Sequence, residues 1–369
     1  MNEWMTRDEA LARLGVKAQT LYAYASRGLI GRAAQDRDPR RSLYRSTDVE
    51  ALASRRKRGR ATAAIAASTL SWGEPTIPTS ISTVIDGDLV YRDQSAAILA
   101  TDRSLEQIAS LLWQVEQVEF PACAPTDNAF RAIAELAGTA RPIMGRSRDK
   151  LVPEAATAVS AIAAGQGVQG EGPMHLRVAE ALEVRGEGAD CIRRILVLLA
   201  DHELNPSTFA TRIAASTGAP MPACILAGLA TLSGPKHGGA GAALAALLDE
   251  SLVNGAGTTV DRWLGTGLPL PGFGHPLYPA GDPRAKAILA TVELDEALAR
   301  LHSAVTETGD ALPNVDFAIL AAARAYGMKR HATFSLFAIA RTVGWAAHAM
   351  EQVRLGSIIR PRGIYRAES

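Results

Sequence analysis

Ala200-Asp201-His202-Glu203-Leu204-Asn205-Pro206-Ser207-Thr208-Phe209 places an acid–histidine–acid triplet at the end of a helix. Taken alone it reads equally as surface charge or as one ligand of a metal site. Three further stretches carry chemistry, each with a plain alternative. In Leu232-Ser233-Gly234-Pro235-Lys236-His237-Gly238-Gly239-Ala240, glycines on both sides let the backbone approach a ligand and free the imidazole ahead of a helix; an ordinary loop histidine fits as well. In Pro271-Gly272-Phe273-Gly274-His275 a second histidine leaves a glycine pair, followed by Asp282-Pro283-Arg284. In Leu312-Pro313-Asn314-Val315-Asp316-Phe317 an aspartate sits in the first turn of an apolar helix, which the helix dipole alone favours.

Downstream, Phe337 and Arg341 are four apart and share a helix face, with Trp345 continuing it and His348 beside it. An arginine among apolar neighbours is costly unless it meets an anion. The last segment is Ile359-Arg360-Pro361-Arg362-Gly363-Ile364-Tyr365, extended and basic.

Together and in this order, the run DHELNPSTFATRIAAST, then GPKHGG, GFGH with DPR, NVDF, FAIARTVGWAAH and RPRGIY resembles the citrate synthase family over roughly residues 75–369. The resemblance implies a mainly α, two-domain citrate synthase fold, with a large helical domain at 81–237 and 329–369 and a small one at 238–328. By motif position it implies that Asp316 takes a proton from the methyl group of acetyl-CoA. It further implies that His237 stabilises the enol or enolate oxygen and that His275 polarises the oxaloacetate carbonyl. His202, Arg284 and Arg341 would hold oxaloacetate, Phe337 would line the pocket, and Arg360 would arrive from the other subunit of a C2 homodimer. No metal and no bound cofactor are implied, since acetyl-CoA is a co-substrate and histidine and arginine supply the positive potential.

That chemistry accounts for the residue types. A thioester methyl is a very weak acid, so a carboxylate base works only if the enolate oxygen is stabilised at the same time. Oxaloacetate is a dianion whose carboxylates match arginine forks.

Three features depart from the family pattern. Pro276-Leu277-Tyr278-Pro279 stands where many relatives carry basic residues beside the CoA phosphates, leaving Arg284, Lys286 and Lys236 to supply charge. Gly241 stands where many have asparagine. The body is also short by several tens of residues, with the deficit between about 105 and 195.

Charge is unevenly distributed. Residues 1–60 hold 14 Lys/Arg and 7 Asp/Glu, whereas the remainder holds 25 basic and 31 acidic residues. A basic head on an acidic body suggests two units with different partners. In the head, Thr6 and Glu9 form a capping box for a helix to Leu14. Gly15-Val16-Lys17 turns the chain, 18–26 reads as a second helix, 29–44 as a polar excursion, and Asp48 as the cap of a third helix. This order resembles the winged helix-turn-helix of MerR-like and excisionase-like modules. On that resemblance Lys17, Gln19, Thr20, Tyr22 and Tyr24 lie on or near a recognition helix, and Arg37, Arg40, Arg41 and Arg45 on or beside a wing, making DNA a possible partner. A basic docking domain that never meets DNA is the alternative. Residues 61–80 read as a linker, and 81–95, around Asp86-Gly87-Asp88, as a β-hairpin.

Cys123, Cys191 and Cys224 form no CxxC pair and read as free thiols in a reducing compartment. The polar N-terminus resembles no signal peptide, and no apolar run reaches bilayer-spanning length, so the expectation is a cytoplasmic protein without membrane partners. The resulting expectation is a citrate synthase. The alternatives are a 2-methylcitrate synthase using propionyl-CoA, or a DNA-binding regulator whose synthase body senses oxaloacetate or acyl-CoA.

Overall fold

The computed structural model describes residues 4–14, 16, 21, 24–25, 30–35, 38–50, 76–122, 124–308, 311–329 and 332–361, with backbone alone at 34–35 and 38–41. Lys17, Gln19, Thr20, Tyr22, Arg37, Cys123 and linker residues 61–75 lie outside the described residues, and Arg40 and Arg41 are placed by backbone only. The chain divides into two compact units, Met1–Pro78 with Pro361–Ser369, and Thr79–Arg360.

In the first unit, strand β1 (Trp4–Thr6) leads into helix α1 (Arg7–Leu14). The backbone N–H and hydroxyl of Thr6 both donate to the Glu9 carboxylate, while the Glu9 N–H returns a bond to Thr6 Oγ1, so the capping box forms as the spacing predicts. Strands β2 (Arg32–Gln35) and β3 (Asp38–Arg45) fill the stretch read as a polar excursion, in an antiparallel sheet of order β1-β3-β2. Ala10, Leu14, Leu21, Ile30, Tyr44 and Val49 form a small core. Asp48 does not cap the next helix, which already begins at Ser46. Its carboxylate instead accepts the Gly31 N–H at 2.8 Å, tying that helix to the chain entering β2. Arg45 lies over the Trp4 ring, 5.5 Å from its centroid, which joins the two outer ends of β1 and β3.

The second unit opens with strands β4 (Ser82–Ile85), β5 (Asp88–Tyr91) and β6 (Gln94–Ser95), consecutive and antiparallel. Asp86 and Gly87 both adopt positive φ (51° and 80°), the two-residue turn that a right-twisted hairpin favours. Helices follow: α2 (Ala96–Leu99), α3 (Leu105–Trp113), α4 (Ala129–Thr139), α5 (Arg148–Ala164), α6 (Met174–Ala181), α7 (Glu187–Leu199), α8 (Pro206–Ser216) and α9 (Met221–Leu232). Then come α10 (Ala240–Asn254), α11 (Ala256–Leu264), α12 (Pro283–Leu289), α13 (Glu296–Thr308), α14 (Val315–Ala325) and α15 (Ala332–Leu355). None is long and apolar enough to cross a membrane among the described residues.

Buried apolar side chains in this unit gather in two clusters. The larger includes Trp113, Ile195, Leu229 and Trp345; the smaller includes Leu244, Val260, Phe273, Leu301 and Phe317. α15 runs through the larger cluster and buries nearly all of its first 21 residues, including Arg341 and His348. Gly344 permits its closest approach: a Cβ there would overlap the Asp201 carboxylate and the Ala200 carbonyl, whereas the Gly344 N–H donates to that carbonyl at 3.0 Å. The turn carrying His202 is thereby seated against α15. Cys191 and Cys224 are buried free thiols.

Candidate active site

Five segments converge. The turn after α7 carries His202, and its neighbour Glu203 takes a left-handed φ of 55°, a conformation uncommon for a side-chain-bearing residue. The hairpin explains how that turn is held: Ser82 Oγ accepts the Glu203 N–H at 2.9 Å and donates to Asp201, while Thr83 Oγ1 donates to Glu203 at 3.2 Å. Asn205 then caps α8, accepting the Ser207 and Thr208 N–H groups.

The His275 loop and the start of α14 are stitched together. Gly274 N–H donates to Leu312 O at 2.7 Å, Asn314 N–H to Gly272 O at 2.9 Å, and Asn314 Nδ2 to Gly274 O at 3.1 Å. Asp282 performs three tasks: it caps α12, chelates Arg284 at 3.0 and 2.8 Å, and accepts the Val315 N–H at 3.0 Å. Asp316 is thus presented from the same knot that presents His275.

The histidine rings are close. His202 and His275 lie edge to face at 5.2 Å between centroids, and Tyr278 stands 4.9 Å from His275. Tyr278 OH meets His202 Nε2 at 2.8 Å, and Arg284 lies over the Tyr278 ring. A cavity of about 220 Å³ opens here, lined by His275, Tyr278, Asp282 and Leu312 among others. On the other flank His237 is 6.5 Å from Phe337, and Arg341 lies over Phe337 at 5.0 Å. His237 Nε2 meets Ser207 Oγ at 2.8 Å, and Trp345 Nε1 also donates to that hydroxyl at 3.2 Å.

Electrostatics follow from burial. Loss of solvation pushes the Asp316 carboxyl up to about 6, with Arg284 pulling the other way. Burial drives His237 down to about 4, with Arg341 adding to the shift, and His275 down to about 4 likewise, with Arg284 adding. His202 falls well below its ordinary value, first by burial and then through Arg284 and Arg341. All three rings are therefore neutral near pH 7. Arg341 is only 1% exposed; burial lowers it to about 10, still a cation. Its Nε donates to Leu199 O at 2.8 Å, while its Nη2 is buried with no hydrogen-bond partner among the described residues. An orphaned guanidinium nitrogen beside neutral histidines is fit to receive an anion.

Of the residues singled out in sequence, His202, His237, His275, Arg284, Asp316, Phe337 and Arg341 all lie on these five segments. Arg360 is exposed beyond the end of α15. Arg284 cannot also serve CoA phosphates at the surface, because it is 2% exposed and held bidentately by Asp282. Tyr278, Ser207 and Asp282 escaped the sequence reading as contributors. Asp282-Pro283 did carry a signal, the helix-capping pair, but the Tyr278 contact joins loops 76 residues apart and leaves no local trace.

Helical architecture and a histidine–arginine–carboxylate cluster define a class that comparison with known proteins makes specific. Residues 152–362 match the family model described as citrate synthase, C-terminal domain. The chain belongs to the citrate synthase family. It is 36% identical over 182 residues to putative citrate synthase 2 of Mycobacterium tuberculosis, covering 46% of this chain and 49% of that protein. It is 33% identical over 187 residues to citrate synthase 2 of Bacillus subtilis, covering 48% and 50%. The alignment spans about half the length of these curated relatives. Among solved structures, citrate synthase from Thermotoga maritima superposes with a TM-score of 0.66 at 23% identity, covering 80% of this chain and 94% of that one. The ternary complex of carboxymethyl coenzyme A and oxaloacetate with citrate synthase from Thermoplasma acidophilum gives 0.67 at 22%, covering 82% and 96%. At these identities the likeness shows the fold, mainly helical.

Proposed function

We propose that the chain condenses an acyl-CoA with oxaloacetate and water, releasing CoA and a tricarboxylate. The observation that carries this reading is the buried Arg341 Nη2 with no partner among the described residues, on a guanidinium close enough to His202 and His237 to depress both, with Asp316 held in the same loop knot as His275. Asp316, raised to about 6, is ionised at neutral pH and basic enough to take a methyl proton. His237 Nε2 meets the Ser207 hydroxyl at 2.8 Å, which fixes the ring, and the imidazole is the group that stabilises the enol oxygen. The nucleophilic carbon attacks the keto carbon of oxaloacetate. His275 accepts the Leu277 N–H on Nδ1 at 3.2 Å, which leaves Nε2–H to polarise the carbonyl and protonate the new alkoxide. Arg341, Arg284 and His202 hold the dianion, and Phe337 lines the pocket. Water then cleaves the thioester, releasing CoA. We further propose a large lobe at 81–237 and 329–369 and a small lobe at 238–328 that closes over the reactants, with Arg360 reaching the other subunit's site in a homodimer.

The test is thiol release from acetyl-CoA and from propionyl-CoA, each with and without oxaloacetate. Oxaloacetate-dependent release is expected, and the ratio of rates distinguishes citrate from 2-methylcitrate synthesis; a preference between them corresponds to about 1–3 kcal/mol for one methylene. Oxaloacetate-independent release, or none, sinks the reading.

The N-terminal unit supports a second, additional role. Its capped α1, three-stranded sheet and basic surplus fit a winged helix-turn-helix module that contacts duplex DNA. A mobility shift with duplex at low salt that fades as salt rises is expected; no shift at low salt removes this role and leaves a docking domain.

A further inference from the structure

Tyr278 reaches three of the convergent side chains at once. Its hydroxyl meets His202 Nε2 at 2.8 Å, its ring lies 4.9 Å from that of His275 with the planes tilted by 35°, and the Arg284 guanidinium stands over it at 5.4 Å. The local sequence explains how so bulky a side chain is held in one place. Pro276 and Pro279 each fix their own φ and restrict the residue before them, His275 and Tyr278 respectively. The Tyr278 N–H donates to the His275 carbonyl at 2.9 Å. The Tyr278 carbonyl accepts from Gly281 at 3.0 Å, where the backbone takes a φ of 109° that suits glycine. The residue is 3% exposed and forms part of the cavity wall.

The His202 turn is fixed through its backbone and its neighbours, not through the imidazole. Asp201 accepts the Ser82 hydroxyl and meets His348 Nε2 at 3.1 Å, Glu203 is tied to the hairpin, and the His202 carbonyl accepts from Asn205 Nδ2 at 3.1 Å. The imidazole itself has Tyr278 as its one hydrogen-bond partner among the described residues. The direction of that bond follows from counting donors and acceptors. His202, driven far below its ordinary value by burial, is neutral, so one ring nitrogen is bare; burial pushes the Tyr278 hydroxyl up and keeps it a phenol. Were His202 Nε2–H the donor, the phenol proton and a bare Nδ1 would both lack partners in a buried place. With the phenol donating, a single Nδ1–H remains, and an N–H is a group that an anion satisfies.

We infer that Tyr278 is a positioning residue: its phenol donates to His202 Nε2 and so holds His202 in the tautomer that carries its proton on Nδ1, while its ring braces His275 beside Arg284. The anion-holding role of His202 rests on the proposed function; the tautomer does not.

The experiment has two readouts on the full chain. The first is imidazole nitrogen NMR of the protein labelled with nitrogen-15 at histidine, the His202 signals being identified by their loss in His202→Ala. One protonated and one bare nitrogen are expected, the bare one being Nε2, and Tyr278→Phe is expected to shift Nε2 and let the two tautomers mix. A protonated Nε2 in the wild type, or signals unmoved by Tyr278→Phe, overturns the inference. The second readout is condensation kinetics with calorimetric binding of oxaloacetate. Tyr278→Phe keeps the ring and is expected to weaken oxaloacetate binding by about 3- to 10-fold, as loss of one hydrogen bond would, with kcat within about twofold. Tyr278→Leu, which also removes the brace on His275, is expected to lower kcat as well, by about 10-fold or more. In a His202→Ala background Tyr278→Phe should have no further effect on binding, because the two residues act as one unit. Additive losses there overturn the action through His202, and equal kcat for the Phe and Leu variants overturns the brace. A wild type that neither binds oxaloacetate nor condenses it counts against the proposed function, and the tautomer is then decided by the nitrogen signals alone.

Discussion

Asp316→Ala is expected to lower kcat for condensation by about 10²- to 10⁴-fold, the usual worth of a positioned general base, while oxaloacetate binding stays within a few-fold of the wild type. The split follows from the geometry. Asp316 sits in the first turn of α14, capped by Asn314, whereas Arg341 and Arg284, proposed to hold the anion, belong to α15 and α12. The pH profile of the wild type carries the same claim. Because desolvation lifts the Asp316 carboxyl to about 6, the active ionised form is lost as pH falls through that value. The acid limb of kcat/KM should therefore bend near pH 6 and fall tenfold per unit below it. His237 and His275, held near 4, are neutral across that range and add no limb of their own. Turnover surviving in Asp316→Ala, or a flat profile down to pH 5, would remove Asp316 from the role of base.

The second large effect concerns the buried polar chain behind the site. Arg212 is fully buried and binds the Glu351 carboxylate, the Gln352 side-chain oxygen at 3.0 Å and the His348 ring. Arg212→Leu fills much of the volume but strands Glu351 and one face of His348. Breaking a buried pair from one side costs about 3–5 kcal/mol, so a fall in Tm of roughly 5–15 °C is expected. Acid should expose the same chain in the wild type. Burial raises the Glu351 carboxyl, but bonds from Ser80, Thr79 and Arg212 outweigh it and bring the group down to about 2. A depressed carboxyl stabilises the fold fully above its unfolded value near 4.5, and that contribution fades as pH drops toward 2. Thermal scans between pH 7 and 3 read both effects; an Arg212→Leu protein as stable as the wild type would show that the chain is not structural.

Much of this was legible in the sequence because the decisive features are local. Thr6–Glu9 and the Asp86-Gly87 turn are satisfied within a few residues, so their spacing alone predicts them. Phe337 and Arg341 are four apart on one helix and stack as the period requires. Asp48 misled because the capping preference of an aspartate cannot reveal that the Gly31 N–H, 17 residues away, competes for it. The same limit hid the Glu351–Arg212–His348–Asp201 chain, whose members are up to 150 positions apart and which no periodicity connects. Arg284 was offered two duties because its charge is visible in the sequence, but its burial against Asp282 is not.

The central claim is that this cluster makes a carbon–carbon bond. Incubation of purified protein with oxaloacetate and acetyl-CoA labelled with carbon-13 in the methyl group, followed by NMR, tests it directly. The label is expected in a methylene of citrate, accumulating in step with free CoA and depending on oxaloacetate. Label recovered only as acetate, or retained in the thioester, would contradict the account.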